Sequence, residues 1–134
     1  MKGRIIKAGN AQGEALVSPE PVGFFGYVDP DTGIFIEKGH PLYGVSLAGK
    51  ILIFPTGKGS TVGSYTLYRL KKNGKAPSGI IVMKSEPIIA VGAIISSIPM
   101  VDQIDIEAFH TGDIVKIDNS DVEIITCCSP SDEN

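Results

Sequence analysis

The stretch Lys50-Ile-Leu-Ile-Phe-Pro-Thr-Gly-Lys-Gly-Ser-Thr-Val-Gly-Ser-Tyr-Thr-Leu-Tyr-Arg-Leu-Lys-Lys-Asn-Gly74 decides how this chain folds. Ile51 to Phe54 is a short apolar run, the pattern of a strand buried on both faces. Pro55 ends it, and Thr56 to Gly59 supplies a glycine-rich turn. An amphipathic helix follows from about Ser60 to Lys72. It closes with Arg69, Lys71 and Lys72 before Gly74, the basic last turn and glycine stop of a helix. Gly79 to Met83 is a second apolar strand. The whole reads as a βαβ unit with parallel strands, right-handed by default.

Outward from this unit the chain is punctuated by 16 glycines and 9 prolines, which suggests many short elements joined by turns. Arg4 to Lys7 and Glu14 to Ser18 read as strands around the turn Asn10-Ala-Gln-Gly13. Phe24 to Val28 and Gly33 to Glu37 read as another pair around Asp29-Pro-Asp-Thr-Gly33, whose residues favour a tight turn. Ile88 to Ser97 fits a helix better than a strand, since it lies between Pro87 and Pro99 and contains Ala90, Gly92 and Ala93. Asp113 to Asp118 and Asp121 to Thr126 form a hairpin around Asn119-Ser120. The expected fold is an α/β domain with several antiparallel hairpins. Residues 1–128 form one domain in this reading, and 129–134 a disordered C-terminal tail.

A chain of 134 residues is large enough for one core and too small for two. With 43% hydrophobic and 20% charged residues it has the composition of a folded domain. The net charge is −3, from 12 basic and 15 acidic residues, with no basic stripe, which argues against nucleic acid. Met1-Lys-Gly-Arg-Ile-Ile lacks the apolar stretch of a signal peptide. The longest apolar run, Pro87 to Val101, is too broken to span a bilayer. No membrane association and a cytoplasmic location are expected. Cys127 and Cys128 are adjacent and cannot form a disulfide framework or a four-ligand metal site.

Ser60 is the first candidate for chemistry. A helix N-terminus offers free backbone N–H groups and the positive end of the dipole, so it attracts anions or stabilises a deprotonated hydroxyl. The plainer alternative is an N-cap, worth about 1 kcal/mol. Against a mere cap stands the density of Gly57, Gly59 and Gly63, which lets a ligand approach the backbone. Thr56-Gly-Lys-Gly-Ser60 is not a nucleotide P-loop: Leu52 occupies the place of its first glycine, and Gly59 follows the lysine. Lys58 is either a solvated loop lysine or a cation for an anionic substrate. Ser64 is a second hydroxyl donor or an exposed first-turn residue. His40 is a base, a substrate ligand or a structural histidine. Asp29 and Asp31 are a carboxylate pair or a plain turn, and His110 reads as a loop residue. With no Ser-His-Asp spacing, HExxH or CxxC, the site is incomplete without a partner.

Three segments together resemble one family. They are Gly23-Phe-Phe-Gly-Tyr-Val-Asp-Pro-Asp-Thr-Gly33, Gly39-His-Pro-Leu-Tyr-Gly-Val-Ser-Leu-Ala-Gly49 and Pro55-Thr-Gly-Lys-Gly-Ser-Thr-Val-Gly-Ser64. Their order and spacing are similar to the separately encoded small subunit of the aconitase X family. The likeness continues through Pro87 to Pro99 and Gly112 to Asp118, over nearly the whole chain. It implies a swivelling β/β/α domain, equivalent to the mobile domain of aconitase. It implies a heterodimer in which a large catalytic subunit carries a [4Fe-4S] cluster, with no cofactor bound by this chain. The implied reaction is loss of water from (R)-5-phosphomevalonate, giving trans-anhydromevalonate 5-phosphate in a modified mevalonate route to isoprenoids. The family's proton-accepting serine falls on Ser60, with Lys58, Gly59, Thr61, Ser64 and His40 as candidate substrate-side residues. Thr61-Val62 departs from the Ser-Cys type of the fused hydroxyproline-dehydratase relatives, which favours the phosphomevalonate branch. The alternatives are a domain that only closes the large subunit's site, the small subunit of another hydroxy-acid dehydratase, and a stand-alone phosphate-binding module.

Overall fold

The computed structural model describes residues 1–59 and 62–126. The expected start of the first helix at Ser60 and Thr61, the cysteine pair and the C-terminal tail lie outside them. Seven strands form one sheet in the order β1-β5-β4-β3-β2-β6-β7. They are β1 (Arg4–Lys7), β2 (Asn10–Val17), β3 (Ile51–Phe54), β4 (Gly79–Val82), β5 (Met100–Asp102), β6 (Ile114–Asp118) and β7 (Asp121–Thr126), with helices α1 (Val62–Lys72) and α2 (Pro87–Ile95). β2, β3, β4 and β5 run parallel, and β1 and β6 flank them antiparallel. The βαβ unit, the α2 helix and the β6–β7 hairpin are present as the sequence predicts.

The period of two along the strands sorts side chains into two cores. Leu52, Phe54, Ile80, Val82 and Met100 point to one face, where they pack with Leu67 and Leu70 of α1 and Ile89 and Ala93 of α2. Ile51, Ile53, Ile81 and Val101 point to the other, where they meet Val115, Ile117 and Val122 of the β6–β7 hairpin. The layers are therefore helices, parallel sheet and folded-back antiparallel strands.

β2 makes that folding back possible, and it corrects the expected Asn10–Gly13 turn. Asn10 to Glu14 pair with β6, whereas Ala15 to Val17 pair with β3. Each half finds a complete ladder with a different partner, so turn-forming residues are drawn into a continuous strand. The sheet's outer edges then meet. Lys2 bridges Asp121, Val122 N–H donates to Met1 O at 2.7 Å, and Gly3 N–H donates to Ser120 O at 2.9 Å.

The expected strand pair at Phe24–Val28 and Gly33–Glu37 is also corrected. Only single bridges occur, Val28 with Phe35 and Ile34 with Ser46. The Asp29 turn is there, with Gly33 N–H donating to Asp29 O at 2.7 Å. Instead of forming a ladder, the excursion drops Phe24, Phe35 and Leu47 onto the helix-side core as a lid. β5 escaped the sequence because three residues after Pro99 are too few to show a period.

At the β1–β5 edge Arg4 grips Asp102 with two bonds, Nε to Oδ1 at 3.1 Å and Nη2 to Oδ2 at 2.7 Å. Burial pushes the Asp102 carboxyl up. Hydrogen bonds from Arg4 and Ser85, with the guanidinium charge, outweigh this and hold it below its ordinary value.

Candidate active-site loop

Parallel sheets present ligands at the carboxyl ends of their strands. Here that end carries Pro55 to Gly59 after β3 and Met83 to Glu86 after β4. The two loops are joined by Lys84 N–H donating to Pro55 O at 3.1 Å. Val22 N–H donates to Thr56 O at 3.1 Å and Lys58 N–H to Val22 O at 3.0 Å, which pins the β3 loop from its other side. Glu86 caps α2, its carboxylate accepting from Ile88 N–H at 3.0 Å and Ile89 N–H at 2.8 Å. The same carboxylate abuts Gly57, where a Cβ would collide with Glu86 and Ile89. Gly59 has φ +105°, and a Cβ there would press on the Tyr27 ring at 3.3 Å. Both glycines are thus required by geometry: Gly57 makes room for Glu86 and Ile89, and Gly59 is the exposed residue of the loop, beside the Tyr27 ring.

Lys58 is the charged group of this loop. Its Nζ lies 2.7 Å from Glu37 Oε2 and 4.7 Å from the centroid of Tyr27. Ser64 lies in the first turn of α1 and donates its hydroxyl to Ile88 O at 2.5 Å. That bond ties the starts of α1 and α2 together. His40 is buried and fully engaged. Its Nδ1 accepts from Leu42 N–H at 3.1 Å, which places the ring proton on Nε2, where it donates to Pro21 O at 3.0 Å. The ring also stacks on Phe35 with centroids 5.6 Å apart. His40 therefore fastens the 37–42 loop to the segment that pins Lys58.

The structure brings Lys58, Gly59 and Ser64 to one end of the sheet, with His40 behind them. Ser60 and Thr61, between Gly59 and α1 in the sequence, lie outside the described residues. Asp29 is a turn former, its Oδ1 accepting from Asp31 N–H at 2.9 Å. His110 is exposed, and its backbone N–H donates to Asp113 at 2.9 Å. Sequence reasoning missed Glu37, Tyr27 and Glu86. Glu86 had a signal, an acid directly before a proline-started helix. Glu37 had none, since it meets Lys58 across 21 positions.

An apolar face adjoins the loop. Ser64, Pro87, Ile88 and Val91 line a shallow groove. Val91, Ile94 and Ile95 are each about half exposed on α2, which has no charged residue. Gly63 connects the groove to Phe25, which is 54% exposed while Phe24 is buried. Larger hollows lie elsewhere, one of about 500 Å³ along the β6–β7 hairpin, open to solvent and lined by Lys116, Asp118, Asp121 and Glu123. Among the described residues no three His, Cys, Asp or Glu side chains converge as metal ligands. Their donor set does not fit an iron–sulfur cluster, which needs several thiolates. No helix among them is long and apolar enough to cross a membrane.

Helices, a parallel sheet and folded-back antiparallel strands, with the lysine-bearing loop at the sheet's carboxyl end, are the layers of a β/β/α swivel domain. The model of the aconitase X swivel domain matches residues 1–126, and the chain belongs to that family. It is 54% identical over 127 residues to the phosphomevalonate dehydratase small subunit of Thermococcus kodakarensis, covering 93% of this chain and 96% of that one. Its identity to the protein of the same name from Methanosarcina acetivorans is 53% over 130 residues, covering 93% and 90%. A crystal structure of Thermococcus kodakaraensis aconitase X in its holo-form superposes with a TM-score of 0.91 at 55% identity, covering 92% of this chain and 96% of that one. A solution NMR structure of a UPF0107 protein gives 0.85 at 50%, covering 93% and 98%.

Proposed function

We propose that this chain is the small subunit of a phosphomevalonate dehydratase, a hydro-lyase active only with its large subunit. The observation that carries the reading is the Pro55–Gly59 loop at the carboxyl end of the parallel strands: held by backbone bonds to Val22 and Lys84, carrying Lys58, and leading through the exposed Gly59 into Ser60. The relatives' shared name supports dehydration of a phosphomevalonate; the substrate proposed is (R)-5-phosphomevalonate and the product trans-anhydromevalonate 5-phosphate.

In this reading Ser60 removes the proton beside the carboxylate-bearing carbon. A neutral serine is a poor base and needs positive charge and backbone donors around it. Lys58 supplies the charge, and the backbone at the Gly59–Ser60 step, leading into the helix, supplies the donors. Lys58 also receives an anionic group of the substrate. Departure of the hydroxyl falls to the large subunit, which carries the iron–sulfur cluster. That subunit covers the α2 face and Phe25. An apolar face of this extent marks an interface, and this one runs up to the loop that the two chains must share.

The test is co-purification with the large subunit and an assay of water loss from (R)-5-phosphomevalonate. Ser60→Ala should leave the complex intact and lower turnover by ~10²-fold or more. Near-normal turnover would make this chain a closing domain only. Inorganic phosphate bound by the chain alone would favour a binding module.

A further inference from the structure

Lys58 is not a free loop lysine. Its ammonium is shared between the Glu37 carboxylate at 2.7 Å and the face of Tyr27 at 4.7 Å. Both ends of the pair are partly shielded, the side chains being 34% and 25% exposed. The holders are themselves held. Tyr27 packs over Gly23 and Gly59, where added Cβ atoms would strike its ring. Its carbonyl accepts from Ile36 N–H at 2.8 Å, one residue before Glu37. Glu37 O accepts from His40 N–H at 3.2 Å, and the His40 ring is anchored to Pro21 O. A surface lysine would not need such support.

We propose that Glu37 is the positioning counter-ion of Lys58: it holds the ammonium beside Gly59, against Tyr27, and yields it to the anionic group of the incoming substrate. The inference rests on the reading that Lys58 meets the substrate. A lysine has a long, flexible stem and loses much rotamer freedom when fixed. Glu37 and Tyr27 impose that order on the ammonium, so it is already aligned for the chemical step. The cost is competition, because the carboxylate and the substrate anion seek the same ammonium. A single Lys–carboxylate contact suits this exchange, since a point-charge donor swaps partners more readily than a bidentate guanidinium.

The competition separates KM from kcat. Glu37→Gln in the complex with the large subunit should lower KM for (R)-5-phosphomevalonate by about five-fold, the ceiling for a partly exposed pair. It should also lower kcat, because the freed ammonium is no longer aligned. Glu37→Asp should recover part of kcat. In a Lys58→Ala background, Glu37→Gln should change neither constant further. A purely structural carboxylate would lower melting temperature and yield while leaving KM unchanged. An unchanged or raised KM in Glu37→Gln, where Lys58→Ala does raise KM, overturns the inference and leaves the underlying reading standing. An unchanged KM in Lys58→Ala overturns both.

Discussion

Two ion pairs stand at the carboxyl end of the parallel strands, and they are built differently. Arg4 and Asp102 meet through two parallel bonds, with the Asp102 side chain only 2% exposed. Lys58 and Glu37 meet through one contact, and solvent reaches both. The first joins two strands of the sheet. The second lies against Gly59 and an aromatic face. A bidentate grip on a buried carboxylate fixes structure even though the Arg4 end is 59% exposed, whereas a single contact beside the exposed Gly59 can exchange partners. The kind of contact, more than the presence of charge, separates the clamp from the proposed substrate-side lysine.

The sharpest way to break this contrast is Ser60→Ala. The loop side should lose ~10²-fold or more in turnover. Denaturant unfolding should shift by only about 1 kcal/mol, the scale of a lost cap. A large stability loss with retained turnover would turn the loop into a second clamp.

Next in size is the apolar face beside the loop. Val91→Glu with Ile95→Glu should weaken association with the large subunit by roughly tenfold or more. Both side chains are about half exposed, so the variant should fold with an unchanged circular dichroism spectrum. Unchanged association in a pull-down would place the interface elsewhere.

Asp102 tests the clamp itself. Asp102→Ala should cost about 2 kcal/mol, as expected for hydrogen bonds between charged groups. Turnover per folded complex should be unchanged. The carboxyl is held below its ordinary value, so its stabilisation is present above the unfolded-state value of about pH 4. It fades as pH falls further, through the folded value. Unfolding curves for Asp102→Asn should therefore be less steep in pH below about 4. An unaltered acid limb would remove the clamp.

The smallest stability effect belongs to Lys58→Ala, under about 1 kcal/mol for a partly exposed pair. Its consequence should appear in KM instead.

The sequence exposed what was local. β3 and β4 are apolar enough to be recognised as buried strands, and α1 carries its own stop signal. α2 is bracketed by prolines, and β6–β7 announce their turn. The Gly-Lys-Gly-Ser motif marked the loop. What escaped depends on distant partners. β2 looks like a turn until two different strands claim its halves. Phe24 and Phe35 look like strand residues until they cover a core. Glu37 becomes part of the candidate site only when the 37–42 loop folds back on Lys58.

The stitched edges of the sheet carry one further consequence. An open sheet ends in unpaired N–H and C=O groups, which invite another chain to add a strand. Here Met1 to Gly3, which lead into β1, bond to Ser120, Asp121 and Val122 at the start of β7, so the two edges are stitched together at one corner. A subunit made apart from its partner must wait for assembly. The stitch shortens the backbone edge on which copies could zip together.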